Sequence, residues 1–358
     1  MRRFFTSLIV VFSPLLAAAD AWQPLKAPDG VKGTLRAVCF ADAKNGWAVG
    51  DKGVCIATAD GGQTWTASTT NSAAILRDVR FKDAQHGWIC GDSDESAPEV
   101  KAGHIMIGPG IKNYSGTLLT TDDGGKTWKN SWVSSAFQLP SVEIATAPVL
   151  QLGVGGTPGH IDGDILRSND GGKTWNGERS YRGLFDIRAI DDKRWVAVGA
   201  KVMVGFRPEP TSPLYTNKGC RALFSTDAGK TWSVAKGSDG NPILHRAASK
   251  SGVTIAVGDQ GAILHSEDNG ESWSAAEQSL ATGAQPDLRS VAWSSGEPNI
   301  AVAVGKGGVI LVSKDNGKSW KSSTSGTSSH LSGVCAAGTD FVIVGDDGVV
   351  LRASAAKL

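Results

Sequence analysis

The sequence predicts an all-β fold, a seven-bladed β-propeller of four-stranded antiparallel blades, and three observations carry that expectation. An octapeptide, Ser/Thr-x-Asp-x-Gly-x-Thr/Ser-Trp, occurs six times, at Thr58 to Trp65, Thr121 to Trp128, Ser168 to Trp175, Ser225 to Trp232, Ser266 to Trp273 and Ser313 to Trp320. Between these octapeptides, short apolar strands recur in a constant order. The last run stops one strand short, and a strand of the missing kind stands near the other end of the chain.

The octapeptide reads as a tight hairpin turn. Its Asp carboxylate and Ser/Thr hydroxyls can bond turn amides, its Gly supplies a conformation other residues avoid, and its Trp is the first large apolar residue of the next strand. The aspartates Asp60, Asp123, Asp170, Asp227, Asp268 and Asp315 follow one another at separations of 63, 47, 57, 41 and 47 residues. A period near 40 with variable insertions is that of a propeller or an array of like units. Six of the 12 Trp are accounted for by this turn, and its role is structural.

Each unit can be read in order. Leu35-Arg36-Ala37-Val38-Cys39-Phe40 is a first strand, Trp47-Ala48-Val49-Gly50 a second ending in Gly, and Val54-Cys55-Ile56-Ala57 a third that runs into the Asp turn. The Trp strand is the fourth. The same order starts again at Leu76, Leu184, Leu244, Leu288 and Leu331, and more loosely at Ser141. The seventh unit reaches its third strand in Val349-Val350-Leu351 and ends there, while Trp22-Gln23-Pro24-Leu25 precedes Leu35 as Trp320 precedes Leu331. The two ends are therefore expected to close a ring, hiding edges that would invite aggregation.

Composition sets the class. With 36 basic and 35 acidic residues, the chain is neither a polybasic nucleic-acid binder nor an acidic tail. Arg2 and Arg3 precede an interrupted apolar run from Phe4 to Ala19, which reads as a secretory signal peptide over residues 1–19, with a second cleavage frame after Ala21. Residues 20–358 are left as one propeller domain, periplasmic or secreted, with no direct membrane insertion. The five cysteines, Cys39, Cys55, Cys90, Cys220 and Cys335, match no metal spacing and read as small buried hydrophobes in strands. No cofactor or metal is expected, because the Asp-Gly turns lack the ladder of a calcium loop.

The octapeptides resemble the Asp-box, or BNR, repeats of sialidases, sortilin-type receptors and secreted glycoside hydrolases. The fuller unit, Phe-x-Asp-x-x-x-Gly-Trp-x-x-Gly as in Phe40 to Gly50 and Phe81 to Gly91, followed by Thr-x-Asp-Gly-Gly-x-Thr-Trp, is most similar to the photosystem II stability/assembly factor family of seven-bladed propellers. That resemblance implies the fold over the whole mature chain and an exported binding or assembly-factor role. Asp-boxes by themselves do not assign an activity.

Ligand sites are expected on the face opposite the Asp-boxes. There the connection between second and third strands expands in three successive blades, to about residues 92–115, 153–163 and 200–219, and long loops on a rigid scaffold are where binding usually resides. Tyr114 and Tyr215 lie in these insertions, and Tyr181 enters the fourth blade. The residue after each leading Leu is Arg36, Arg77, Phe185, His245, Arg289 or Ser332, with Val142 in the third blade. Arg36, Arg77, His245 and Arg289 around one opening would attract carboxylates or phosphates. Alternatively, each Arg pairs with an acid of a neighbouring blade, for which Asp78, Glu143 and Asp186 are available.

Two functions remain open. One is a monomeric, non-enzymatic propeller that docks a protein partner, a membrane protein or its acidic exported segment, with no role for nucleic acid. The other is a sialidase- or glycoside-hydrolase-like enzyme or a lectin. No Phe/Tyr-Arg-x-Pro motif precedes Asp60, and a paired-propeller cleft would need a second propeller.

Overall fold

In a computed structural model the described residues are 21–31, 33–92, 116–134, 138–144, 150–155, 164–170, 176–179, 183–201, 219–279, 285–297 and 299–358. They form a β-propeller of antiparallel blades, numbered here from the first complete meander. The first strands are Leu35–Phe40, Leu76–Phe81, Gln138–Ile144, Leu184–Ala189, Leu244–Lys250, Leu288–Trp293 and Leu331–Ala337. Each packs on the first strand of the next blade, and the last packs on the first. Six sheets are four-stranded and antiparallel, and the sixth blade carries a fifth strand. Four strands per blade is thus corrected for blade 6. The outer strand of blade 5 keeps only Ser274–Ala275, and the chain then crosses so that Glu277–Ser279 pairs in parallel with Ser319–Ser323. That strand covers the backbone groups which blade 6 would otherwise leave open at its edge.

The ring closes as the incomplete last unit requires. Gln23–Leu25 pairs antiparallel with the third strand of blade 7, with Gln23 opposite Arg352 and Leu25 opposite Val350. Trp22 is 2% exposed and packs with Phe341, Ile343 and Leu351 of blade 7 and Val302 and Val304 of blade 6. Its indole Nε1 donates to Ser323 Oγ at 3.1 Å.

The core lies between blades. One cluster joins Trp47 and Val49 of blade 1 to Leu76, Val79, Ile89 and Trp128 of blade 2, and Trp47 stacks on Phe81. The Asp turns pin these seams. In all six, the leading Ser or Thr hydroxyl donates to the Asp at 2.8 Å. The same hydroxyl accepts the Gly amide at 2.8–2.9 Å where that Gly is described, and the Trp indole donates back to the Gly carbonyl in blades 1, 4, 5 and 6. Gly270 is left-handed at φ +86°, and a Cβ there would also lie 2.2 Å from Val196 of blade 4. Glycine is required both for the turn and for its seat on the preceding blade.

Two predictions follow the closure and the turns. Trp22→Ala should destabilise the protein by about 3–5 kcal/mol, the cost of emptying a large aromatic site; a urea midpoint within error of the parent would refute closure by this strand. Thr64 hydroxyl and amide donation holds the Asp60 carboxyl down at about 2. At Asp227, burial is outweighed by Thr231 donation, with the same result of about 2. Both sit below the unfolded value of about 3.9, so their stabilisation is complete above that value and disappears as pH falls toward 2. The urea midpoint of the parent should drop more between pH 5 and pH 2.5 than that of the Asp60→Asn, Asp227→Asn double variant. Parallel drops would show that these turns contribute nothing to the acid limb.

Candidate functional site at the channel mouth

A close backbone approach builds the mouth. A Cβ on Gly50 would lie 1.9 Å from the Thr34 carbonyl oxygen, and one on Gly91, Gly258 or Gly345 would lie 1.9–2.2 Å from the equivalent oxygen of Ile75, Ile243 or His330. The following amide donates to that carbonyl, from Asp51 to Thr34 at 3.0 Å, and from Asp92, Asp259 and Asp346 to their partners at 2.9 Å. The residue after the glycine is thereby set beside the residue after the leading Leu. In blades 1, 2 and 5 this places an acid against a base.

The sequence-predicted mouth residues do come together. Arg36, Arg77, Phe185, His245, Arg289 and Ser332 line one cavity of about 490 Å³. Its cations are not free. Arg36 forks onto Asp51, and Arg77 onto Asp92 at 2.5 and 2.7 Å. Arg289 reaches Asp287 at 3.2 Å, a carboxylate shared with Lys306 at 2.6 Å. His245 Nε2 stands 2.6 Å from both Asp259 Oδ1 and Arg289 Nη1. Burial, joined by the Arg289 charge and opposed by Asp259, pushes the His245 pKa down, so the ring favours its neutral form. The mouth therefore sets four cations, Arg36, Arg77, Arg289 and Lys306, against five carboxylates, Asp51, Asp92, Asp259, Asp287 and Asp346, the last of which accepts from the Thr34 hydroxyl at 2.9 Å. Pairing with acids of neighbouring blades is corrected for Arg36 and Arg77, whose partners Asp51 and Asp92 belong to the same blades because the glycine turn brings them there, whereas Arg289 of blade 6 does stand 3.6 Å from Asp259 of blade 5.

Asp78, Glu143 and Asp186 lie deeper. Asp78 and Asp186 are 1% and 0% exposed, and with Glu143 they meet Arg80, Arg188 and Arg246 inside the channel. Ser141 of blade 3 donates to Asp186 at 2.7 Å and Arg246 Nη2 donates to the Arg77 carbonyl, so the network ties blades 2 to 5. Burial raises the Asp78 carboxyl, but the guanidiniums of Arg246, Arg80 and Arg188 outweigh it and hold it at about 2. For Glu143 burial wins and the pKa is raised. Sequence reasoning missed this layer, although its signal is present: the second and fourth residues after the leading Leu read Asp78 and Arg80 in blade 2, and Asp186 and Arg188 in blade 4.

Tyr114, Tyr181 and Tyr215 lie outside the described residues, as do most of the three insertions. The six Asp-box aspartates stand at the other end of the blades and serve the turns. Cys39, Cys55, Cys90 and Cys220 are buried in strands, and Cys335 is half-buried. Among the described residues no group of three or more His, Cys, Asp and Glu could hold a metal, and no helix is long and apolar enough to cross a membrane.

Known proteins of similar sequence and shape agree with the repeats. The family described as photosynthesis system II assembly factor YCF48 matches residues 16–93. No curated protein matches the chain by sequence. Among solved structures, one described as YCF48 bound to D1 peptide is 20% identical with a TM-score of 0.63, covering 94% of this chain and 97% of that chain. YCF48 from Cyanidioschyzon merolae is 18% identical with a TM-score of 0.63, covering 94% and 100%. A GH74 xyloglucanase from Xanthomonas campestris is 16% identical with a TM-score of 0.64, covering 93% of this chain and 53% of that one. At such identities the structural likenesses show the propeller fold, and the chain is similar to photosystem II assembly-factor propellers.

The two ionic layers should respond differently to mutation. Asp186→Asn strands buried guanidiniums and should cost about 3–5 kcal/mol, whereas Arg36→Ala removes a partly solvated pair and should cost about 1 kcal/mol or less. Equal losses in chemical denaturation would mean that the mouth pairs are as structural as the channel network.

Proposed function

We propose that this chain is an exported, monomeric, seven-bladed, assembly-factor-like propeller without enzymatic activity, docking a segment of a protein partner on the mouth face, opposite the Asp-boxes. The observation that carries this reading is the mouth, where one inward position in each of six blades contributes Arg36, Arg77, Phe185, His245, Arg289 or Ser332 to a single basin. The arginines are about a third exposed and face carboxylates that are 17–28% exposed, so solvent reaches and screens these pairs. An acidic segment can therefore replace Asp51, Asp92 or Asp287 on its arginine, while Phe185 offers an apolar contact beside His245.

A peptide-bound YCF48 is precedent for a peptide ligand on this fold. The expected leader over residues 1–19 supports a periplasmic or secreted site of action, and a membrane-associated partner with an acidic exported segment fits both. Tyr114, Tyr181 and Tyr215 extend the proposed surface through the insertions. A carbohydrate-active role is the weaker reading. Asp51, Asp92, Asp259 and Asp287 each face a cation, an arrangement suited to pairing charges more than to handing on a proton.

The test is capture of a partner from the membrane fraction with the mature protein, followed by affinity measurements on its purified exported segment at two ionic strengths. Replacing Arg36, Arg77 and Arg289 together by Ala should weaken binding by roughly 2–3 kcal/mol while melts stay near the parent's, and added salt should imitate much of the loss. Equal affinity of parent and variant, with unchanged melts, would remove the mouth as the docking site.

A further inference from the structure

The channel has a second, different end. Arg246 lines both the mouth and a separate cavity of about 370 Å³, which lies where the first strands finish, on the Asp-box side. Its two walls are unlike. Blades 2, 4 and 5 contribute the ionic network, with Arg80, Arg188, Arg246 and the carboxylate of Asp78 at the surface of the cavity. Blades 6, 7 and 1 place only small side chains at the corresponding positions, Ser290 and Ala292, Gly333 and Cys335, and Ala37 and Cys39. Six small residues in register leave the space that the guanidiniums and carboxylates fill across the channel. Val291, Trp293 and Val334 complete an apolar side.

We propose that this cavity is a binding site for a small organic carboxylate with an apolar body, its head on Arg80 and its body against blades 6, 7 and 1. Arg80 is the anchor because it is the most exposed of the three guanidiniums, at 21% against 12% and 13%. Its Nη1 serves Asp78 and the Val79 carbonyl and its Nε faces Glu143, which leaves Nη2 without a recorded acceptor among the described residues. The volume falls in the range of small-molecule sites, roughly 300–1,000 Å³. The site is distinct from the mouth, with which its lining shares Arg246 alone.

The probe is 3-phenylpropanoate, compared with 3-phenylpropanol by calorimetry on the mature protein. The acid should bind with a dissociation constant below about 1 mM and the alcohol at least about tenfold more weakly. Ala292→Phe, which projects a ring into the cavity, should weaken the acid at least about tenfold without lowering the melting temperature. No saturable binding of the acid, equal binding of the alcohol, or undiminished binding by a folded Ala292→Phe variant would each overturn the proposal. If that variant does not fold, the comparison of acid with alcohol on the parent decides alone.

Discussion

The approach of a glycine to a carbonyl at the end of the second strand, seen in blades 1, 2, 4, 5, 6 and 7, is the constraint on which the mouth depends. No side chain fits between Gly50 and the Thr34 oxygen, so the chain turns there within hydrogen-bonding distance of the start of its own first strand. The turn is short enough that its third residue is left-handed even when it is not glycine, as at Lys52, Gln260 and Asp347. Backbone strain of this kind persists where the surroundings over-determine the conformation. What it secures is a fixed juxtaposition, with the residue after the glycine beside the residue after the leading Leu. Chemistry at the mouth is then a matter of which two side chains occupy that frame.

Two ionic layers use the same kinds of residue in different dielectric surroundings. At the mouth, solvent screens the pairs, and each arginine keeps a partner without depending on it. Within the channel, Asp78 and Asp186 have lost their water, and three guanidiniums with several amide and hydroxyl donors replace it. Such a network contributes less to net stability than its contacts suggest, yet losing one member is costly because a charge is stranded. Arg246 borders both cavities, so the network lies between the mouth and the Asp-box end of the channel.

Much of the fold was legible because the Asp turn carries its own physics. Ser or Thr, Asp, Gly and Trp each have a bond or a seat that no other residue type reproduces at that spacing, so six copies define six seams. Ring closure was legible from one absent strand and one surplus Trp. The fifth strand of blade 6 was not, since Glu277-Gln278-Ser279 is exposed and carries no apolar alternation. Within the site, the position after the leading Leu was readable because it repeats. Its ion partners were not, because the acids of Gly50-Asp51, Gly91-Asp92 and Gly258-Asp259 sit in short turns that look like plain connections, and only the glycine's close approach brings each beside the first strand of its own blade. The buried network escaped for a related reason: Asp and Arg two residues apart on a strand look like a solvated face, and only the curvature of the ring turns them toward one another.

Blade 6 shows which property of the mouth its residues preserve. Its glycine is followed by Lys306 where blades 1, 2 and 5 have Asp, which sets a second cation beside Arg289. The acid is recovered one residue before the leading Leu, where Asp287 takes both Lys306 and Arg289. The same carboxylate also accepts the Gln260 amide at 3.0 Å, joining blade 6 to the turn of blade 5. Position changes while an acid beside Arg289 is kept. Arginines that already face carboxylates do not pull anions from a distance as an unpaired arginine ring would, and selectivity at the mouth has to come from contact. In the proposed docking, an acidic segment gains only by forming a better-aligned pair than the one it displaces, and the released Asp51, Asp92 or Asp287 must find water or a donor on the ligand. The geometry therefore favours a ligand that brings both signs of charge in a defined spacing over one that is merely acidic.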